Sequence, residues 1–244
     1  MPYFKTEVIS NQQLASDIFV IKTGWSEQSV GAGQFFMIKA WKNELPLMRP
    51  ISVFKKEKHA LSFMYRVVGK GTELLRQLKV GDEITLLGPS GNGFPCGEVS
   101  GKIALVGGGV GIPPLYETAK TLLINGNQVD IYLGFKEEIF AVEDFQQVCT
   151  NLYIATETGA YGAAGFITDI IDVTKYDALF TCGPEAMMIK LAEQCYEKNV
   201  KCWLSIEKRM GCGIGACLVC NCKTNKGMMR TCKDGPIFSA EMFF

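Results

Sequence analysis

Histidine is almost missing from this chain: the 244 residues contain one, His59, in the charged run Lys55-Lys56-Glu57-Lys58-His59. A lone turn histidine excludes histidine-rich metal sites and reads as a solvated residue. Net charge is missing too, because 25 Lys and Arg are balanced by 25 Asp and Glu. Without a basic excess there is no global field to gather nucleic acid or an anionic membrane. No apolar run approaches the ~18 residues needed to cross a bilayer. The start, Met1-Pro2-Tyr3-Phe4-Lys5-Thr6-Glu7, lacks the basic and apolar regions of a signal peptide. A cytoplasmic protein is therefore expected, and the cytosol keeps thiols reduced. Its ten cysteines then cannot form a disulfide framework. Internal repeats and low-complexity linkers are absent as well.

What is present fits a folded chain with two compact domains and a small appendage. Hydrophobic residues make up 48% and glycines number 26. Through residue 99, short β-rich runs (34–40, 51–55, 61–68, 83–87) alternate with Gly, Pro and Asn turns, and 72–78 reads as a helix. That spacing predicts a small antiparallel barrel or sandwich. From residue 100 the pattern changes. Apolar runs at 103–106, 129–133, 152–156, 178–181 and 201–206 alternate with helical stretches at 113–124, 141–148, 167–172 and 185–198. Strands buried on both faces and separated by helices imply a parallel, doubly wound α/β sheet. Beyond residue 207, glycine, cysteine and short polar turns dominate and no periodicity survives. The expected division is a barrel at 1–99, an α/β domain at 100–206 and a cysteine-rich domain at 207–244.

The cysteines are unevenly placed. Cys96, Cys149, Cys182, Cys195 and Cys202 are scattered through apolar segments and read as small core residues. Cys212, Cys217, Cys220 and Cys232 follow C-x4-C-x2-C-x11-C, with Gly211, Gly213 and Gly215 between and beside the first of them. Thiolates suit iron–sulfur clusters, and C-x4-C-x2-C…C is the plant-type ferredoxin spacing for [2Fe–2S]. Structural zinc is the alternative, but it usually shows two cysteine pairs separated by a longer gap. Cys222 falls outside the spacing and is expected to be a non-ligand neighbour. A [2Fe–2S] centre moves single electrons, so the other domains should hold a group that exchanges electrons with it.

Three further segments suit nucleotides. Gly107, Gly108, Gly109 and Gly111 lie in the turn joining the first parallel strand to its helix, followed by Pro113 and Pro114. Such turns let phosphate approach the backbone at a helix N-terminus. Residue 112 is isoleucine, so the last glycine of G-x-G-x-x-G is missing, which points away from the ordinary dinucleotide fold. In the barrel, Arg49-Pro50-Ile51-Ser52 sets a guanidinium and a hydroxyl at a strand start, and the guanidinium fork matches a pyrophosphate. Met64-Tyr65-Arg66 runs on through glycines to Gly71-Thr72 at the start of a helix.

These motifs, with Gly88-Pro89-Ser90-Gly91-Asn92-Gly93-Phe94 and Cys182-Gly183-Pro184, occur in the order of the ferredoxin–NADP reductase superfamily. With the loop Glu207-Lys208-Arg209-Met210-Gly211-Cys212-Gly213-Ile214-Gly215-Ala216-Cys217, the whole chain resembles the family of type B dihydroorotate dehydrogenase electron-transfer subunits. The resemblance implies an oxidoreductase subunit in pyrimidine biosynthesis. It would work with an FMN-containing catalytic subunit, as a heterotetramer with two copies of each chain. Electrons from dihydroorotate oxidation would pass from FMN through [2Fe–2S] and FAD to NAD⁺. It further implies that Arg49, Pro50, Ile51, Ser52, Met64, Tyr65 and Arg66 hold FAD, with Gly71 and Thr72 capping its phosphates. Gly107, Gly108, Gly109 and Gly111 would receive the NAD diphosphate. Cys182, Gly183 and Pro184 would face the nicotinamide, the alternative for Cys182 being an ordinary buried cysteine. Thr156-Glu157-Thr158-Gly159 departs from the family's Thr-Glu-Asp-Gly. The second α/β strand is followed by Lys136-Glu137-Glu138, with no arginine pair for a 2′-phosphate and two acids to repel one, so NAD is favoured over NADP. Related subunits serve hydrogenases, sulfide dehydrogenases and ferredoxin:NADP oxidoreductases, which is the alternative assignment. An electron carrier that never binds NAD is the other.

The spacing makes the ligand set testable. Serine at Cys212, Cys217, Cys220 or Cys232 should abolish bound iron and labile sulfide, expected at about two of each per chain, whereas Cys222→Ser should keep both. Iron lost with Cys222→Ser and kept with Cys232→Ser would overturn the assignment.

Overall fold

The computed structural model describes residues 3–25, 29–41 and 44–244. The first strands are β1 (Tyr3–Ala15), β2 (Ile18–Gly24), β3 (Phe35–Lys39), β4 (Arg49–Glu57), β5 (Ala60–Arg66) and, after helix α1 (Lys70–Arg76), β6 (Glu83–Ser90). They close into an antiparallel barrel in the order β1-β2-β5-β4-β3-β6. Alternating side chains fill it. Ile21, Phe36, Ile38, Leu61, Phe63, Ile84 and Leu86 are fully buried, and Phe36 meets Trp25 and Phe63 edge to face at 5.1 and 5.6 Å.

Three barrel details escaped the sequence reading. Strand β2 was not named although Ile18-Phe19-Val20-Ile21 is an apolar, β-branched run. Strand β1 was not named either, and its second half, with Ser10, Asn11, Gln12 and Gln13, has poor strand propensity. Asn11 is there for another reason: its amide donates to the carbonyls of Leu75, Arg76 and Leu78 at 2.9, 3.2 and 3.1 Å, satisfying the end of α1. Helix α1 also begins two residues before the expected 72–78. The Thr72 hydroxyl accepts from Val68 N and Gly69 N and donates to Gly69 O, which draws the first turn back to Lys70.

The second half runs β7 (Lys102–Gly108), α2 (Pro113–Ile124), β8 (Gln128–Phe135), α3 (Val142–Gln146), β9 (Asn151–Thr156), β10 (Ala163–Ala164), α4 (Ile167–Ile170), β11 (Ala178–Cys182), α5 (Glu185–Glu197) and β12 (Lys201–Ser205). The helices expected at 141–148 and 167–172 are thus single short turns of chain. The tail adds a hairpin, β13 (Asn221–Thr224) and β14 (Gly227–Arg230), and a strand, β15 (Ile237–Ser239). The sheet order is β10-β9-β8-β7-β11-β12-β15, parallel except for β15, which pairs antiparallel with β12. The tail therefore has regular structure where no periodicity was visible, and its end is built into the α/β sheet. Chain order reverses between β7 and β11, so the crevice at their carboxyl ends is the place where such sheets bind ligands. The two halves share a core in which Ile18, Phe54 and Met64 pack with Leu105, Leu115 and Phe145.

At the opposite end of the sheet Asp130 is sealed from solvent. Its carboxylate accepts from Asn151 Nδ2 at 2.7 Å and Tyr176 OH at 2.9 Å, and lies 3.0 Å from Lys102 Nζ. Burial pushes the carboxyl up, but these three donors outweigh it and hold it below the usual carboxylate range. A depressed folded-state pKa means stability that is present above the unfolded value and lost as pH falls through the folded one. Asp130→Ala should cost roughly 1–3 kcal/mol by stranding its donors. Chemical denaturation between about pH 5 and pH 2 should show a smaller acid-dependent loss in Asp130→Asn than in wild type. Equal pH slopes would remove Asp130 as their source.

Candidate functional site

The carboxyl ends of β7 and β11 meet through bare backbone. A Cβ on Gly111 would lie 2.4 Å from Gly183 Cα, and one on Gly183 would lie 2.8 Å from Gly108 N. Gly107 is packed beneath this turn, against Ile112 and Leu115. Pro113 and Pro114 fill the first helical positions of α2, which removes two of the N–H groups that a phosphate could have used there. Gly109–Gly111 form a 3₁₀ turn, and it is this turn that borders the cavities.

Two cavities flank the turn. The larger, about 450 Å³, lies between barrel and sheet and is lined by Arg49, Pro50, Ile51, Ser52, Met64, Tyr65, Arg66 and Thr72 on the barrel side. Val110, Gly111, Pro113 and Pro114 close it from the α/β side, and Glu207, Lys208 and Met210 from the tail. A second cavity, about 370 Å³, is lined by Gly108, Gly109, Gly111, Gly183 and Pro184, with Arg66 and Glu207 common to both. The barrel motifs read from the sequence therefore converge on one wall, and the two glycine motifs on the next cavity. Gly71 stands behind that wall, where a Cβ would meet Arg49 Nε at 2.5 Å. Arg49 donates to Leu47 O at 2.6 Å and lies 5.3 Å from the centre of the Trp41 ring. Arg66 Nε lies 3.0 Å from Asp17 Oδ2 but off the hydrogen-bond axis, so it remains unsatisfied.

Cys182 lines neither cavity. It is buried in the core, and burial, then the charge of Glu207, push its thiol well above the ordinary range. Glu207 was not foreseen as a site residue. Its side chain is exposed where it lines both cavities, and the protein packed around its carboxyl still raises it by desolvation. The available signal was an acid directly after the last parallel strand. Glu138, expected to face a nucleotide, accepts instead from Ser16 N and Ser16 Oγ of the barrel at 2.9 and 2.7 Å.

The cysteine loop sits on the barrel. Gly213 and Gly215 take φ of 70° and 80°, a region that glycine enters without steric cost. A Cβ on Gly213 would lie 2.4 Å from Met37 Cγ. Cys220 and Cys232 are buried with Phe35 and Met37, and Met210 packs alongside. Among the described residues no three Cys, His, Asp or Glu side chains converge as a single-ion site. The four thiols are gathered in the tail, with Cys232 N donating to Cys220 Sγ at 3.5 Å. Four cysteine thiolates are the ligand set of a [2Fe–2S] cluster. Backbone N–H groups are already aimed at sulfur: Ile214, Ala216 and Cys217 donate to Cys212 Sγ at 3.3–3.4 Å, and Gly215 donates to Cys232 Sγ at 3.1 Å. Burial pushes the Cys212 thiol up, but these donors and the Cys217 thiol bring it down to about 6. Cys222 lies apart in the α/β core beside Leu204 and Phe238.

A closed barrel joined across a cleft to a doubly wound sheet, with a four-cysteine loop at the cleft mouth, defines a ferredoxin–NADP reductase-like fold carrying a ferredoxin-type tail. Residues 207–243 match the iron–sulfur cluster binding domain of dihydroorotate dehydrogenase B. The chain is 44% identical over 236 residues to the dihydroorotate dehydrogenase B (NAD(+)) electron transfer subunit of Clostridium acetobutylicum, covering 97% of this chain and 95% of that one. It is 43% identical to the Clostridium perfringens subunit of the same description, covering 98% and 97%. Among solved structures, that of an NADH-dependent reduced ferredoxin-NADP oxidoreductase superposes with a TM-score of 0.86 at 29% identity, over 97% of this chain and 88% of that one. The chain belongs to the family of dihydroorotate dehydrogenase B electron transfer subunits.

Proposed function

We propose that this chain is an oxidoreductase subunit that passes electrons released in the oxidation of dihydroorotate to orotate on to NAD⁺, in pyrimidine biosynthesis. The observation that carries the reading is the double placement of Phe35 and Met210. Both line the large cleft, and both pack against the buried cysteines of the tail. A flavin in the cleft and a cluster on the loop would thus be separated by one layer of side chains. When bound, FAD exchanges a hydride with nicotinamide and single electrons with the cluster.

The chain's own residues bind, orient and insulate. In this reading Arg49, with Gly71 and Thr72, holds the FAD diphosphate, and Pro50, Ile51, Ser52, Met64, Tyr65 and Arg66 hold the rest. Gly108, Gly109 and Gly111 receive the NAD diphosphate, with Gly107 of the expected set packed beneath them rather than in the cavities, and Gly183 and Pro184 border the nicotinamide above Cys182. Cys212, Cys217, Cys220 and Cys232 hold [2Fe–2S]. The functional division is an FAD domain at 1–99, an NAD domain at 100–206 and a cluster domain at 207–244. The partner is a catalytic subunit with FMN, two copies of each chain assembling in the cytoplasm. No helix among the described residues is long and apolar enough to cross a membrane. Ile214, Leu218 and Val219 are exposed around the exposed Cys217, an apolar collar suited to that partner. The 29% identical structure, described as a flavin-based, NADH-dependent ferredoxin-NADP oxidoreductase, supports a flavin and a nicotinamide nucleotide here but would fit a different electron donor. The subunits at 44% and 43% identity, matched along nearly their full length, favour dihydroorotate.

Arg49→Ala should weaken FAD binding by about 1.5–3 kcal/mol, the range for a charged hydrogen bond, read by titrating apoprotein with FAD. Undiminished affinity would remove Arg49 from the site. The chain alone should oxidise NADH with an artificial acceptor and leave dihydroorotate untouched, linking it to NAD⁺ only with the FMN-bearing partner. A cluster-free variant should keep the NADH–dye activity and lose dihydroorotate:NAD⁺ activity in the complex. An isolated chain that reduced NAD⁺ with dihydroorotate, or a cluster-free complex at full rate, would overturn the mechanism.

A further inference from the structure

A third cavity, about 480 Å³, opens beyond the glycine turn at the carboxyl ends of β8 and β9. It shares Arg66, Gly108, Gly109 and Pro184 with the 370 Å³ cavity, so the two form one trough. Its floor is apolar, from Phe135, Ile167 and Met187, and Phe166 stands on its wall with 64% of its surface exposed. An apolar floor with an accessible ring is chemistry for a flat heteroaromatic base. A phosphate on the glycine turn would leave an attached nucleoside pointing into it.

The charged groups of this cavity are few. Lys190 is committed to Asp169 at 2.6 Å. Lys136 and Glu157 end adjacent parallel strands and are tied together, Glu157 N donating to Lys136 O at 3.2 Å. Among the described residues no carboxylate forms an ion pair with Lys136. The two acids that the sequence offered against a 2′-phosphate are elsewhere: Glu138 is bound to Ser16, and Glu137 is exposed and lines none of the three cavities. Glu157 is the one carboxylate in this cavity's lining.

We propose that Glu157 and Lys136 are the nucleotide-discriminating pair of this trough. Glu157 accepts a hydrogen bond from the ribose 2′-hydroxyl of NAD and repels a 2′-phosphate. Lys136 is a latent phosphate receptor whose attraction that carboxylate cancels. The proposal rests on the reading that a nicotinamide dinucleotide binds at the glycine turn. Glu157, in the Thr156-Glu157-Thr158-Gly159 motif that departs from the family's Thr-Glu-Asp-Gly, takes the role that the sequence suggested for Glu137 and Glu138.

The test uses the full chain with its flavin and cluster, as wild type, Glu157→Gln and Glu157→Gln/Lys136→Ala. Reduction of an artificial acceptor by NADH and by NADPH gives kcat and KM. Calorimetry with ADP-ribose and 2′-phospho-ADP-ribose reads the pocket without turnover. Wild type should prefer NADH and ADP-ribose. Glu157→Gln should lower KM for NADPH tenfold or more, tighten 2′-phospho-ADP-ribose equally, and raise KM for NADH severalfold. Adding Lys136→Ala should reverse the NADPH gain. A wild type active with NADH whose NADH/NADPH ratio stays within twofold in Glu157→Gln would overturn the pair alone, as would a double variant that kept the gain. A wild type inert to both nucleotides and binding neither probe would overturn the functional reading and the pair together.

Discussion

The contact on which the site depends is the one between the β7 turn and the β11 turn, where backbone lies on backbone and no side chain intervenes. Gly111 against Gly183 lets the two strands end side by side while their chains depart to opposite faces, into α2 and α5. That divergence opens the crevice. Any side chain at the contact would fill the space from which the 450 and 370 Å³ cavities diverge. The parallel sheet supplies the rigidity behind it, since every residue of β11 is buried and β7 pairs with β8 on one side and β11 on the other.

The barrel and tail are held to this frame by packing and by directed polar contacts. Phe54 of β4 meets Tyr116 of α2 at 5.2 Å, and Lys55 pairs with Asp144 beside the same rings. Glu138 reaches back to Ser16, and Glu117 accepts from Lys56 N at 2.8 Å. The tail is fastened twice. Its cysteine loop rests on Met37 of the barrel, and β15 completes the sheet edge beside β12. Both ends of the tail are thus anchored, with Phe35 and Met210 packed between cleft and thiols. The sulfur-directed N–H groups are organised by the same anchoring, which is preorganisation for a thiolate cluster.

The order of barrel, doubly wound sheet and cysteine tail was legible in the sequence because each part has its own local pattern. Short β-rich runs between Gly, Pro and Asn turns mark the barrel, apolar runs between helices mark the sheet, and C-x4-C-x2-C-x11-C marks a ligand loop whose chemistry is local. Helix 113–124 was placed to the residue because Pro113 starts it and Asn125 and Gly126 follow it. Strand β1 and the start of α1 were missed because their residues, Asn11 and Thr72, serve contacts that a linear pattern does not contain.

The sequence by itself determined which chemistries are available: thiolate ligation, phosphate-accepting turns, and an Arg-Pro-Ile-Ser strand start. These depend on residue type and short spacing, which the chain carries locally. The tertiary structure alone decided which groups share a site. It turned Glu138 toward the barrel and left Glu157 lining the cavity beyond the glycine turn, buried Cys182 beneath the crevice, and brought Glu207 between two cavities. It also brought the buried thiols of Cys220 and Cys232 onto the barrel, and made Phe35 and Met210 common to the cleft and to those thiols. Such proximities join residues up to 197 positions apart, as Phe35 and Cys232 are. They are fixed by strand order and by close backbone packing, and neither is encoded in any single segment.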